Sequence, residues 1–227
     1  MKKTVLAAFA FASVLAFGKD QSDAALRVGE ADKVLSEIMT TPDNAIPQDL
    51  LAKAHCAVIV PSMKRAGFIF AGQYGKGVML CRAKDGRGWT GPSTVRVEGG
   101  SFGFLIGGSA TDIVMLVMNE RGAEKLMKSK FTLGGDASVA AGPVGRTASA
   151  KTDAMLHAEI LSWSRSRGVF GGIALTGSTL RVDDTDNSTL YGKPVENASI
   201  LKGSIEAPAA ADGLRATLNK YSSYKQR

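Results

Sequence analysis

The sequence predicts an α+β domain that is rich in β-structure, with a mainly antiparallel, curved or barrel-like sheet, N-terminal amphipathic helices, one mid-chain helix and one C-terminal helix. Three observations lead to this fold class. Apolar residues recur at helical spacing near the N-terminus, short β-branched and aromatic runs broken by glycine fill most of the chain, and helical spacing returns near the C-terminus. Because no Pro/Ser-rich linker or block of charge divides residues 19–227, we expect a single domain there.

Residues 1–18 have the pattern of an export signal, in a form typical of bacteria. The positive start Met1-Lys2-Lys3 is followed by an apolar, uncharged run over residues 4–17, which is shorter than the roughly 18–20 residues of a membrane span. Cleavage is therefore favoured over anchoring, and we expect a periplasmic or secreted protein. Cleavage removes two lysines and no acid, which lowers the formal charge from +7 to +5.

Helices are predicted in four places. Apolar residues at helical spacing predict an amphipathic helix over residues 23–39, and residues 46–53 predict a short second one. Asn119 is expected to cap a helix over residues 120–128. The C-terminal helix is expected over residues 208–221.

Between these helices, β-rich segments are expected over residues 58–60, 67–74, 77–82, 93–98, 101–107, 112–118, 131–141, 145–150, 157–164 and 169–182. Glycine-containing turns expected at Gly75-Lys76, residues 85–88 and Gly99-Gly100 favour antiparallel hairpins. Glycine also recurs beside aromatic residues within the strands. Since glycine inside a strand marks bulges or close backbone approach, this pattern favours a curved sheet.

The two cysteines, Cys56 and Cys81, both lie in strand-like runs. An oxidising compartment would allow a disulfide between them, and two buried thiols are the alternative. The sequence leaves both open, because it does not give the separation of their Cα atoms.

Composition and motifs give no support for catalysis. With only His55 and His157 as histidines, the chain has little material for a metal site, and we expect no metal and no cofactor. The G-x-G-x-x-G pattern over residues 86–91 is not followed by a helix start, so it predicts a turn. Residues 183–187 resemble the start of a calcium loop but lack its later glycine and glutamate, which favours a solvated turn and helix cap. We expect a protein that is not an enzyme.

Basic residues beside small or aromatic ones are the candidate binding residues. Arginine binds phosphate or carboxylate groups through paired hydrogen bonds from its guanidinium, and a tryptophan beside such cations suits the boundary between lipid headgroups and chains. Solvated cations flanking strands are the alternative interpretation. The candidates are Lys64, Arg65, Arg146, Trp163, Arg165 and Arg167.

Ordered motifs over residues 24–221 resemble the SYLF lipid-binding domain family. They are Val58-x-Val60-Pro61-Ser62-x-Lys64-x-Ala66-Gly67, Tyr74-Gly75-x-Gly77-Val78, Trp89-x-Gly91-Pro92-Ser93, Phe102-Gly103-x-x-Ile106-Gly107, Thr111-Asp112, Val139-Ala140-Ala141-Gly142-Pro143-Val144-Gly145-Arg146, Ser164-x-Ser166-x-Gly168-Val169-Phe170-Gly171-Gly172 and Tyr191-Gly192. Ser166-Arg167-Gly168 replaces the usual Ser-Lys-Gly of the family and keeps its cation.

The resemblance implies lipid binding, with phosphoinositides favoured by eukaryotic members and actin-binding activity in the yeast branch. In eukaryotic members the N-terminal amphipathic helix is implicated in membrane contact, which implies such a role for residues 23–39. An exported protein would not meet actin, so we expect an anionic phospholipid or membrane surface as the partner, and neither actin nor nucleic acid. Protein partners stay open.

Two functional hypotheses follow. The first is an exported, non-enzymatic protein that recognises anionic phospholipid through basic loops; a positive net charge favours anionic partners in general. The alternative is an envelope structural or protein-interaction module without lipid affinity, whose glycine-rich strands form an assembly interface.

Overall fold

A computed structural model describes residues 22–41, 45–67, 70–84, 88–102, 107–145, 157–166, 169–173 and 175–223. The expected export signal, Arg146, Arg167 and most of the strand expected over residues 145–150 lie outside these ranges. Within them the fold is α+β, as predicted, with one curled mixed sheet and helices packed against it.

The strands found in these ranges belong to one sheet. Their bounds are β1 Cys56–Gly67, β2 Phe70–Cys81, β3 Ser93–Phe102, β4 Gly107–Val117, β5 Lys130–Thr132, β6 Val139–Ala141, β7 Ile160–Ser166, β8 Val169–Gly172 and β9 Thr179–Val182. The strand order is β5-β9-β3-β2-β1-β4-β7-β6, and β8 also pairs with β7. All pairings between these strands are antiparallel except that of β6 with β7.

The sheet must curl, because β5 and β6 lie at its opposite ends but are close in the sequence. Seven interstrand steps of about 4.8 Å would separate these strands by about 34 Å in a flat sheet. The seven residue steps from Thr132 to Val139 span at most about 24 Å even when fully extended. A bridge between Leu133 and Ala137 shortens this connection further. The curvature predicted from the glycines is therefore confirmed.

The helices in the described ranges are α1 Asp23–Thr40, α2 Gln48–Lys53, α3 Glu120–Leu126, α4 Asp184–Tyr191, α5 Asn197–Leu201 and α6 Asp212–Ser222. The four predicted helices are all present, although the C-terminal one begins with a short 3-10 turn over Ala209–Ala211. Among the described residues, no helix has both the length and the apolar content needed to cross a bilayer.

The sheet has a buried core on each face, since alternate residues of a strand point to opposite sides. On the outer face, Ile59 and Leu80 pack under α1, α2 and α6. On the inner face, enclosed by the curl, Val58 and Met79 pack with Phe131 and with residues of α3.

Helix α1 uses its whole apolar face for this outer core. Its buried residues are Ala24, Val28, Ala31, Val34, Leu35, Ile38 and Met39. In this conformation the apolar face is therefore covered by protein, and the large apolar side chain that α1 leaves open for the membrane contact implied for residues 23–39 is Leu26, which is 49% exposed.

Strand β1 has a bulge in the middle of its pairing with β2. The register of β1 shifts against both neighbours around Pro61 and Ser62, and Ser62 has a φ of 49°. Gly77 of β2 lies against the start of this bulge, where a Cβ atom would lie 2.8 Å from the Cα atom of Val60 and still closer to the carbonyl oxygen of Ile59. Only a residue without a side chain fits there.

Two predicted turns are strand interiors instead. Gly75-Lys76 lies within β2 and Gly99-Gly100 within β3, so these sequence signals for hairpins were wrong. At Gly75 a Cβ atom would lie 2.8 Å from the Cγ1 atom of Val60, which shows that the glycine serves close strand packing. In contrast, the segments expected over residues 131–141 and 169–182 are each divided into two short strands.

Cys56 and Cys81 lie directly opposite each other where β1 begins and β2 ends, and a disulfide joins them. The bond closes the β1–β2 hairpin at its open end. Both residues are buried within the inner core.

We predict that Gly77→Ala lowers the free energy of unfolding by about 1–3 kcal/mol, because the new methyl group overlaps the backbone of β1. Gly72→Ala is the matched control in the same strand, since no atom lies within 4 Å of its added Cβ. Urea denaturation measures both. Equal effects at the two positions would contradict the role given to the close packing of Gly77 against β1.

Candidate functional site

Lys64 and Arg65 lie within β1, just after the bulge, and not on a loop that enters the strand. Lys64 is exposed on the outer face. Arg65 is half-buried, and its Nη2 donates to Oε1 of Gln73 at 2.8 Å. Of this predicted pair, Lys64 is the cation that the fold leaves open to solvent.

Arg165 is held by two carboxylates. Its Nε and Nη2 donate to Oδ2 of Asp112 at 3.0 and 2.8 Å, and its Nη1 pairs with Glu37 of α1. Asp112 also accepts the backbone N–H of Ser62 at 2.9 Å, so it supports the bulge of β1. Burial alone would lower the pKa of Arg165, but its hydrogen bonds to Asp112 and Glu37 raise it above the ordinary value. The structure thus uses this charge to fasten α1 to the sheet.

Trp163 is fully buried, so its expected place at a lipid headgroup boundary is wrong for this conformation. Its Nε1 donates to the carbonyl oxygen of Pro143 at 2.9 Å. The indole also lies so close to Gly142 that a Cβ atom there would overlap the ring. Trp163 is a core residue because β7 is paired on both sides, with β4 and with β6 and β8, and its outer face is covered by protein.

Sequence reasoning missed a line of cations on the outer face. Lys76 pairs in register with Arg96, Arg96 with Arg181, and Arg181 with Lys130, across β2, β3, β9 and β5. We call these four residues the cation row. Like charges directly opposite each other on neighbouring strands destabilise a sheet, and this row contains three such pairs in succession.

Acidic residues neutralise one end of the cation row. Lys76 Nζ lies 2.9 Å from Oδ2 of Asp183 and 3.0 Å from Oδ2 of Asp186. Asp183 also caps α4, as expected from the sequence, although it is buried and not solvated.

The other end of the row keeps an excess of positive charge. Arg96 and Arg181 share one carboxylate, that of Glu98, at 3.0 and 3.4 Å. Their side chains are 37% and 40% exposed, and Lys130 is exposed without an ion pair to any described residue.

Lys64 and Tyr74 extend this surface along the same face. They lie directly opposite each other on β1 and β2, and Tyr74 is 46% exposed although it is a large side chain. We call Lys64, Tyr74, Arg96, Arg181 and Lys130 the outer basic surface. The alternating pattern of β3, in which Arg96 and Glu98 flank buried Val97, was the available signal for part of it.

The described residues contain no cluster of three or more His, Cys, Asp or Glu side chains that could hold a metal ion. What they present is an α+β domain with exposed cations on one sheet face, the character of a binding domain.

The chain belongs to the Ysc84 family, whose description reads "Las17-binding protein actin regulator" and whose model matches residues 98–221, more than half of the chain. The SYLF resemblance drawn from the motifs is thereby confirmed. This description names binding and regulation, not catalysis.

Curated relatives agree with this assignment. The chain is 35% identical over 181 residues to "SH3 domain-containing YSC84-like protein 1" of Rattus norvegicus, covering 79% of this chain and 53% of the relative. It is 35% identical over 175 residues to "Protein YSC84" of Saccharomyces cerevisiae, covering 76% and 37%. It is 37% identical over 176 residues to "LAS seventeen-binding protein 3" of the same yeast, covering 76% and 38%. The chain thus spans about half the length of the rat relative and less of the yeast ones.

We predict that Asp112→Ala lowers the free energy of unfolding by about 2 kcal/mol, because the N–H of Ser62 and the guanidinium of Arg165 both lose their acceptor. Glu37→Ala, which removes only the exposed partner of Arg165, is expected to cost less than about 1 kcal/mol. Urea denaturation compares them. A larger loss for Glu37→Ala would contradict the central role given to Asp112.

A second prediction concerns the stability of the protein at low pH. Burial alone would raise the pKa of Asp183, but hydrogen bonds from Lys76 and the backbone of Asp186 hold it below the ordinary value. The contribution of the Lys76–Asp183 pair is therefore fully present above the unfolded-state pKa of about 4 and is lost as the pH falls through the lower folded-state pKa. Lys76→Met should lower the free energy of unfolding by about 1–2 kcal/mol at pH 7.

The difference between Lys76→Met and the parent protein should shrink as the pH falls below about 4. Urea denaturation at pH 7, 5 and 3 measures it. The control is Lys130→Met in the same row, which is expected to change stability by less than about 0.5 kcal/mol at each pH. A difference that stayed constant from pH 7 to 3 would exclude the Asp183 carboxylate as its source.

Proposed function

We propose that this protein is an exported, non-enzymatic domain that binds membranes containing anionic phospholipid, and that the outer basic surface makes the contact. The observation that carries the proposal is the cation row, in which three like-charged pairs stand in register while Glu98 is the one acid, among the residues that the structure describes, that pairs with Arg96 and Arg181. Such an arrangement destabilises the sheet, and departures of this kind from a locally favourable pattern are expected at functional sites.

Anionic headgroups would supply the counter-charge that the fold leaves out. Each Lys or Arg close to an anionic membrane surface contributes about 1 kcal/mol, so several together produce firm but salt-sensitive association. Tyr74 beside Lys64 adds an amphipathic ring of the kind found at headgroup level. Binding would therefore combine charge attraction with a small apolar contribution.

This proposal moves the contact from predicted loops to the sheet face. It keeps Lys64 and does not rest on Arg165, whose charge is used by Asp112 and Glu37, nor on Trp163 in the core. Arg146 and Arg167 lie outside the described residues and stay predictions.

Export is the part of the proposal that rests on residues 1–18 alone. An exported protein would not meet actin, so we assign to this chain neither the actin regulation nor the Las17 binding named for its family. The lipid-binding part is supported by the SYLF resemblance together with the outer basic surface.

The test is co-sedimentation of residues 19–227 with vesicles of phosphatidylcholine alone or mixed with phosphatidylglycerol, over 50–500 mM salt. We expect pelleting only with the anionic vesicles, falling as salt rises. The double variant Arg181→Glu/Lys130→Glu should weaken binding at low salt by about tenfold or more, since four units of charge change on the surface.

The matched control is Lys193→Glu/Lys220→Glu, which makes the same charge change at exposed lysines outside the outer basic surface. It is expected to lose much less affinity than the first variant. Equal losses of vesicle affinity in the two variants would mean that only the net charge of the protein matters. If the parent protein did not pellet with anionic vesicles, the proposal would be overturned.

The second candidate function is a protein-interaction module, which the family description and the name "LAS seventeen-binding protein 3" favour. It predicts a protein partner and no affinity for vesicles. The sedimentation experiment therefore separates the two candidates.

A further inference from the structure

A large open cavity lies where β1 begins and β2 ends, with the Cys56–Cys81 disulfide in its wall. Its volume of about 1160 Å³ is slightly above the usual range of small-molecule sites, about 300–1,000 Å³. The C-terminal ends of α2 and α6 and one side of α3 complete the wall. About 16 Å of strand separates Cys81 from Lys76, so the cavity is distinct from the outer basic surface.

Basic side chains outnumber acidic ones around this cavity. The acidic lining residues among the described ones are Glu120 and Glu124. The basic lining residues are Lys53, Arg82, Lys84 and Lys202. They come from different elements, so cations approach the cavity from several sides.

Arg82 is the fixed cation of the wall. Its Nε donates to the carbonyl oxygen of Ala54 at 3.3 Å, and its Nη2 donates to those of Leu51 and Ala52 at 3.1 and 3.0 Å. The guanidinium carbon lies 4.3 Å from the ring centre of Trp89. These contacts orient the side chain before any ligand arrives.

The charge of Arg82 has no carboxylate partner among the described residues. Its side chain is half-buried, and this burial lowers its pKa. The carbonyl groups that it meets are partial charges only. An anion in the cavity would supply the missing full charge.

We propose that this cavity binds a phosphate monoester group, carried either by a soluble molecule or by a lipid headgroup. A phosphate monoester offers three acceptor oxygens and up to two negative charges, which suits one oriented guanidinium and several flexible ammonium groups approaching from different sides. The cavity is a separate site, so this proposal does not depend on membrane binding by the outer basic surface.

The test titrates residues 19–227, with the disulfide intact, with glycerol 3-phosphate and with inorganic phosphate at constant ionic strength, followed by calorimetry. Vesicles that contain phosphatidic acid, a monoester, are compared with vesicles of equal charge that contain phosphatidylglycerol, a diester. Because Arg82 also holds α2 in place, the rim variant Lys53→Glu/Lys202→Glu replaces exposed residues only. We expect it to weaken monoester binding about tenfold or more.

The matched control is Arg181→Glu/Lys130→Glu, which should keep monoester affinity in solution within about twofold, since its positions lie outside the cavity.

The outcomes distinguish the two sources of the phosphate group. If the parent protein binds the soluble probes saturably and the rim variant does not, a soluble ligand is supported. Binding to phosphatidic acid vesicles alone, lost in the rim variant, supports a headgroup. No saturable binding to either source, or equal binding by parent and rim variant, overturns the proposal. Loss of phosphatidylglycerol binding in the Arg181/Lys130 variant alone concerns only the outer basic surface, so the two proposals fail separately.

Discussion

The close packing of the β1 bulge against its neighbour β2 is the constraint on which the rest of the structure depends. Strand β1 is central, its residues 56–60 are buried on both faces, and it approaches β2 so closely that no side chain fits at Gly77. The bulge at Pro61 and Ser62 makes this approach possible, and Asp112 stabilises it by accepting the N–H of Ser62. Past the bulge, Lys64 is exposed on the outer face. A backbone requirement thus decides which cation of this motif is available to a partner.

The elements that the sequence predicted well are those whose signal is local. The apolar spacing of α1 and the cap at Asn119 depend on residues within a few turns, and both helices are present. The turns predicted at Gly75-Lys76 and Gly99-Gly100 were wrong because glycine has the same local signature in a turn and in a strand against which another segment packs closely. Only the partner strand, distant in sequence, distinguishes these uses.

The candidate site was less predictable for the same reason. Arg96 and Arg181 are 85 residues apart and become neighbours only through the pairing of β3 with β9, which no local pattern indicates. Trp163 and Arg165 illustrate the opposite error, since two residues that look like a surface pair on a loop lie in one strand beneath helix α1. Cations that stabilise the fold and cations that are available for binding thus look the same in the sequence. Their acidic partners, which only the structure identifies, distinguish them.

The short strands at the ends of the sheet have a consequence for association between molecules. Strands β5 and β6 are three residues long, and Lys130 in β5 adds charge to one of these edges. Exposed strand edges are templates on which a further chain adds by backbone hydrogen bonding, and short, charged edges prevent this. A sheet this rich in glycine and β-branched residues is thereby protected against edge-to-edge aggregation, which favours partners that recognise its side chains over partners that pair with its backbone.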